Sequence, residues 1–196
     1  EAAAYIQTIT DKFDALQKQV VAKTSVELTI NGADGKRAVR NAETNLGDLC
    51  ADAYRILLGA DIAFVNGGGV RDNIKVGDIT YGDIIKVHPF GNEACLVEVT
   101  GQQIKDALEL GSAAYPGESG GFLQVSGLTY TINADIPSSV VKNNKSEFVK
   151  VDGAYRVSDI MVGGQPLDVS KTYTLASHNY MLKDAGDGYT MFGTKN

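Results

Sequence analysis

The sequence predicts an α+β fold, a layered α/β/β/α domain with mixed sheets. Two observations carry this expectation. Helical and strand-like periodicities are interspersed without the regular alternation of a doubly wound sheet, and the second half of the chain is dominated by short strand patterns. The chain has 196 residues, 43% of them apolar and 21% charged, which suits one medium domain and argues against disorder.

Ile6, Ile9, Phe13, Leu16 and Val20 recur three and four apart, so the opening segment reads as an amphipathic helix. We expect it to pack on the body of the domain or to connect to something upstream, with 1–22 as a linker or packing helix and 23–196 as the main domain. A strand is expected over Val26 to Ile30, before the turn "NGADG". Thr44 or Asn45 can then cap a helix with an apolar stripe of Leu46, Leu49, Cys50, Ala53, Ile56 and Leu57. Ile62 to Val65 reads as a short buried strand that ends in "NGGG". Another strand covers Leu96 to Val99, and Thr100 with Gln103 forms a capping box ahead of a helix through Ile104, Ala107 and Leu108. Strands follow at Phe122 to Val125, Leu128 to Ile132, Val157 to Val162 and Tyr173 to Ala176. The polar stretch from Asp135 to Lys145 is expected to be a mobile loop.

The net charge of -6 disfavours nucleic acid or an anionic membrane as a partner. No apolar run approaches the length of a membrane-spanning helix. The chain begins with Glu1 and shows no signal-peptide pattern, which fits a fragment or mature chain and leaves targeting open. Cys50 and Cys95 fall in an expected helix and strand without metal-ligand spacing. They read first as small buried hydrophobes, with a disulfide as the lesser alternative.

Three segments could carry chemistry. In "NGGGVRDNI" the glycines Gly67, Gly68 and Gly69 can bring backbone N–H groups close to a ligand, between the Asn66 amide and the Arg71 guanidinium. A tight turn with a surface arginine is the plainer alternative. In "HPFGN", Phe90 is held in a turn, a poor place to bury a large ring. In "NYMLKDAGDGY", Tyr180 and Asp187 lie among glycines. Two loop aromatics could sandwich a planar base, and an aspartate beside them could accept from ribose hydroxyls. Taken singly, each ring is more often a loop-packing residue than a ligand platform.

Two decoys are set aside. "GESGG" fits G-x-S-x-G around Ser119, but a nucleophile elbow needs a strand before the serine and a helix after it, and here the strand follows. "KDAGDGY" lacks the acidic ladder of a calcium loop. His88 and His178 stand in unrelated contexts and read as a loop histidine and a pocket-edge or surface histidine, not as metal ligands.

The series "TNLGDL", "NGGGVRDNI", "GDITYGDI", "HPFGN", "GGFLQVSGLTYT" and "AGDGY", in register from Lys23 onward, resembles the C-terminal domain of the 5′-nucleotidase and UDP-sugar hydrolase family. The resemblance implies a domain that binds the nucleoside part of a nucleotide. Phe90 and Tyr180 match the base-stacking aromatics, the second often phenylalanine in relatives, and Asp187 matches the ribose-binding aspartate. Arg71 and Asn66 match the N-G-G-G-x-R motif, which also contains Gly68. Arg40 matches an arginine reaching ribose or phosphate, and Gly120 a glycine lining the base pocket. The segment between Tyr180 and Asp187 is about one residue longer than in many relatives.

The same resemblance implies an N-terminal metallophosphoesterase domain with two divalent metal ions, and a secreted, periplasmic or cell-surface protein. With only two histidines, this chain cannot build that metal site, so no catalytic residue, metal or other cofactor is assigned to it and the isolated chain is expected to be inactive. The alternative is a noncatalytic nucleoside-binding or adhesive module; an upstream D-x-H and N-H-E/D region in the full-length gene favours the hydrolase, and its absence favours the module.

Overall fold

The computed structural model describes residues 2–193 of the chain. The elements, in order, are α1 (Ala2–Gln17), β1 (Val20–Thr24), α2 (Asn45–Leu58), β2 (Ile62–Asn66), β3 (Gly77–Thr80), α3 (Tyr81–Val87), β4 (Ala94–Thr100), α4 (Gly101–Ser112), β5 (Leu123–Ser126) and β6 (Leu128–Ile132). They continue as β7 (Val140–Lys142), β8 (Phe148–Val151), β9 (Val157–Val162), β10 (Gln165–Pro166), β11 (Thr172–His178) and α5 (Asn179–Leu182). The fold is α+β with mixed sheets, as the interspersed periodicities require.

The central sheet runs β4-β11-β2-β5, with β11 and β2 parallel and the other pairs antiparallel. Every residue of β2 is buried, because helix α2 covers one face of the sheet and a second apolar layer covers the other. That second layer brings Phe64 and Leu175 of the sheet together with Ile104 and Leu108 of α4 and Val157 and Ile160 of β9. β9 belongs to a separate three-stranded sheet, β10-β9-β6. On the α2 side, Leu46, Cys50 and Ala51 pack with Val65, Val70, Ile79 and Val87.

The caps follow the sequence. Thr44 accepts from the Gly47 N–H and starts α2, while Gly59 in the left-handed region ends it. Thr100 and Gln103 make the expected capping box on α4, and Thr80 with Asp83 makes another on α3.

Four expectations are corrected. The apolar stripe of α1 is largely uncovered, with Ile6 62% exposed and Phe13 49%, and the helix meets the domain body only at its C-terminal end, against α3. The helix stops at Gln17, so Val20 lies in β1, paired with β3. Val26 to Ile30 is not a strand; Leu28 makes an isolated bridge to Ile74, and Asn73 Oδ1 accepts from the Ile30 N–H in place of a ladder partner. The polar stretch 135–145 is not all loop, because β7 lies inside it and pairs with β8. Both cysteines are free thiols, Cys50 buried and Cys95 partly so. Among the described residues no helix is long and apolar enough to cross a membrane.

Candidate functional site

β2 delivers Asn66 to the edge of the sheet core and the chain then turns through Gly67, Gly68 and Gly69. The Gly67 N–H donates to the Phe122 carbonyl at 2.7 Å and the Gly68 N–H to the Gly120 carbonyl at 2.8 Å. These two groups are therefore spent inside the protein, not displayed to a ligand as the motif suggested. The glycines serve close backbone packing instead. A Cβ on Gly67 would collide with the Val39 carbonyl, and one on Gly68 would come within 3.0 Å of Gly120 Cα.

Buried Gln124 ties the same region to β5. Its side-chain amide donates to the Val39 carbonyl at 3.1 Å and the Ala42 carbonyl at 2.7 Å, while its Oε1 accepts from the Thr44 N–H at 3.0 Å. The Ser119 N–H donates to the Arg40 carbonyl at 2.9 Å. The segment that carries Arg40 is thus anchored at Val39 and Ala42 by Gln124 and at the Arg40 carbonyl itself by Ser119. The Arg40 guanidinium is lowered from its ordinary value, first by burial and then by Arg37 and Arg71. Arg37 is held in a forked ion pair by Glu118, so Arg40 is the cation left facing the cleft.

Asp187 sits in the left-handed region at φ 53, between Gly186 and Gly188. Its Oδ2 accepts from the Asn66 Nδ2 at 2.7 Å. The Tyr180 hydroxyl, from the first turn of α5, donates to Asp187 Oδ1 at 3.1 Å and accepts from the Asp187 N–H at 3.2 Å. The Tyr180 ring lies on Gly186, where any Cβ would collide with it, and stacks at 6.1 Å on His178. Phe90 projects from its turn with 58% of its surface exposed.

Arg40, Asn66, Gly68, Phe90, Gly120, Tyr180 and Asp187 all line one cleft of about 330 Å³, joined by Gly69 and Asn92. Asn92 closes the "HPFGN" motif, so its place in that motif was the available signal. Arg71 does not line the cleft. Its Nη1 donates to the Gly68 carbonyl at 3.2 Å, and its guanidinium stands 5.9 Å from the centre of the Phe90 ring, backing the aromatic wall.

A larger concavity of about 530 Å³ lies elsewhere, along β5 and β6, and includes Glu43, Asp48 and Asp52. Burial first, then Glu43, pushes the Asp48 carboxyl up to about 6. This acidic lining opposes an anionic ligand, and volume alone does not make it the better candidate. Ser119 follows α4 and precedes β5, the reverse of a nucleophile elbow, and its hydroxyl accepts from the Gly121 N–H. Among the described residues no three His, Cys, Asp or Glu side chains converge in a way that could hold a metal ion.

The family 5′-nucleotidase, C-terminal domain, matches residues 20–194 of this chain. The chain belongs to that family. It is 34% identical over 202 residues to the trifunctional nucleotide phosphoesterase protein YfkN of Bacillus subtilis, covering 98% of this chain and 12% of that protein. It is 37% identical over 156 residues to a 5′-nucleotidase of Vibrio parahaemolyticus, covering 80% of this chain and 24% of the relative. The crystal structure of a 5′-nucleotidase precursor from Thermus thermophilus superposes with a TM-score of 0.77 at 34% identity, over 97% of this chain and 35% of that one. The chain thus spans about an eighth to a third of these relatives.

Proposed function

We propose that the cleft binds the nucleoside part of a nucleotide. In this reading the base stacks between Phe90 and Tyr180, the ribose hydroxyls donate to Asp187, and Arg40 faces the phosphate, with Arg71 steadying Phe90. Residues 1–22 act as a linker and 23–196 as the binding domain of a secreted, periplasmic or cell-surface phosphoric ester hydrolase. Two divalent metal ions would activate the attacking water in an N-terminal metallophosphoesterase domain; no donor set for them is found among the described residues of this chain. Binding energy gathered on base and sugar, remote from the reacting phosphorus, would hold the ester in place for that chemistry.

The observation that supports this reading is the convergence of an exposed aromatic, a second aromatic, a carboxylate and a partly desolvated arginine on one cleft, from widely separated parts of the chain. A flat apolar base, a vicinal diol and a phosphate are the three chemistries those groups complement. Calorimetric titration of adenosine and AMP into the chain, without added metal, tests it. Saturable binding with a Kd on the order of millimolar is expected, lost in both Phe90→Ala and Asp187→Ala. No binding, or binding indifferent to both substitutions, would overturn it.

A further inference from the structure

The Tyr180 hydroxyl does something that a stacking ring alone does not require. It makes a reciprocal pair with Asp187, donating to the side chain at 3.1 Å and accepting from the main-chain N–H at 3.2 Å. The residue it grips is in the left-handed region, a conformation that side chains other than glycine adopt at a cost. The ring can reach that position only because Gly186 offers no Cβ. With Asn66 holding Oδ2 from the other side, the carboxylate has one donor on each oxygen and keeps lone pairs free on both.

We propose that the Tyr180 phenol is a positioning residue that presets the Asp187 carboxylate for a vicinal diol, so that stacking of the base and recognition of the sugar form one mechanical unit. The inference rests on the nucleoside reading of the cleft. Phenylalanine at this position would keep the stacking face and lose the grip on Asp187. The Asp187 N–H would then have no acceptor from this side chain, and the carboxylate would keep only the Asn66 donor on Oδ2, with Oδ1 no longer fixed. The sugar-dependent part of binding would weaken while the base-dependent part stayed. Gly186→Ala reaches the same end from the other direction, because it pushes the ring off its seat without removing any polar group.

The test compares adenosine with 2′,3′-dideoxyadenosine, which stacks equally well but brings no diol. For the wild-type chain, adenosine should bind more tightly than the dideoxy compound. In Tyr180→Phe the dideoxy affinity should stay within about twofold while adenosine weakens about fivefold, the worth of one hydrogen bond. Gly186→Ala should lower the adenosine preference as well. Amide exchange gives a readout independent of ligand: the Asp187 N–H should exchange faster in Tyr180→Phe. An unchanged adenosine preference in Tyr180→Phe, or an equal loss for both nucleosides, would overturn the inference alone. Failure of the wild-type chain to bind either nucleoside would overturn the reading beneath it as well.

Discussion

The Asn66 side-chain amide donates to the Asp187 carboxylate at 2.7 Å, across 121 residues of sequence. It joins the end of the central strand β2 to the turn after α5, and so couples the rigidity of the sheet to the cleft. Asn66→Leu keeps the bulk but removes the donor. Its expected cost is about 1–3 kcal/mol of stability, the penalty for a partly buried carboxylate that loses a partner, read from urea unfolding. Nucleoside affinity should fall in parallel, and an Asn66→Leu chain with unchanged urea midpoint would contradict this account.

Phe90 separates binding from stability. Because 58% of its surface already meets solvent, Phe90→Ala should change the urea midpoint little. The loss of one stacking face should nevertheless weaken base binding by about 1–3 kcal/mol, roughly 5- to 150-fold. A large loss of stability would show instead that the ring is a packing residue.

Gly67 is expected to tolerate no side chain. A Cβ there would collide with the Val39 carbonyl, and backbone rather than a flexible side chain would have to yield. Gly67→Ala should therefore cost about 1–3 kcal/mol or more from overpacking, and should displace Arg40, the residue after Val39. Thermal melts measure the first effect and AMP titration the second.

Part of the acid sensitivity should trace to His178, with His88, also lowered by burial, acting in the same sense. Burial first, and His88 second, push the His178 imidazole down to about 4, so between about pH 6.5 and 4 the unfolded chain binds a proton that the folded chain refuses. Stability from this group is complete above that window and is lost as pH falls through it, by about 3 kcal/mol at most. Asp48, pushed up to about 6, acts in the opposite sense, since its retained proton favours the folded state as pH falls toward 3.8. His178→Phe leaves Asp48 in place and keeps a ring against Tyr54 and Tyr180. The variant should lose less stability than wild type between pH 7 and pH 4.5, and parallel losses in urea midpoint would count against the assignment.

The features legible in the sequence are those whose cause is local. The capping residues Thr44, Thr100 and Gln103, the alternation in β6 and the apolar run of β2 each state their structure within a few residues. β7 was hidden because its pairing with β8 closes only across the polar turn around Asn143, a tertiary arrangement its composition does not announce. The α1 stripe shows the same limit from the other side, since periodicity names an apolar face without naming what covers it. In the cleft, the motifs named almost every lining residue. They misread the glycine N–H groups and the place of Arg71, because both depend on where the 120–122 segment and the Phe90 turn fold back.

The position of β11 has a consequence for biosynthesis. This strand enters late in the chain yet lies between β4 and β2 in the central sheet. The Phe64 carbonyl meets the Ser177 hydroxyl that satisfies it 113 residues later. On a ribosome adding about 5–20 residues per second, the apolar segment of β2 must emerge and wait several seconds before its parallel neighbour exists. Until β5 emerges this segment has neither of its strand neighbours, and the edge that β11 will cover stays open through the whole interval, which makes that edge, not the finished surface, the place where a chaperone would bind this nascent chain.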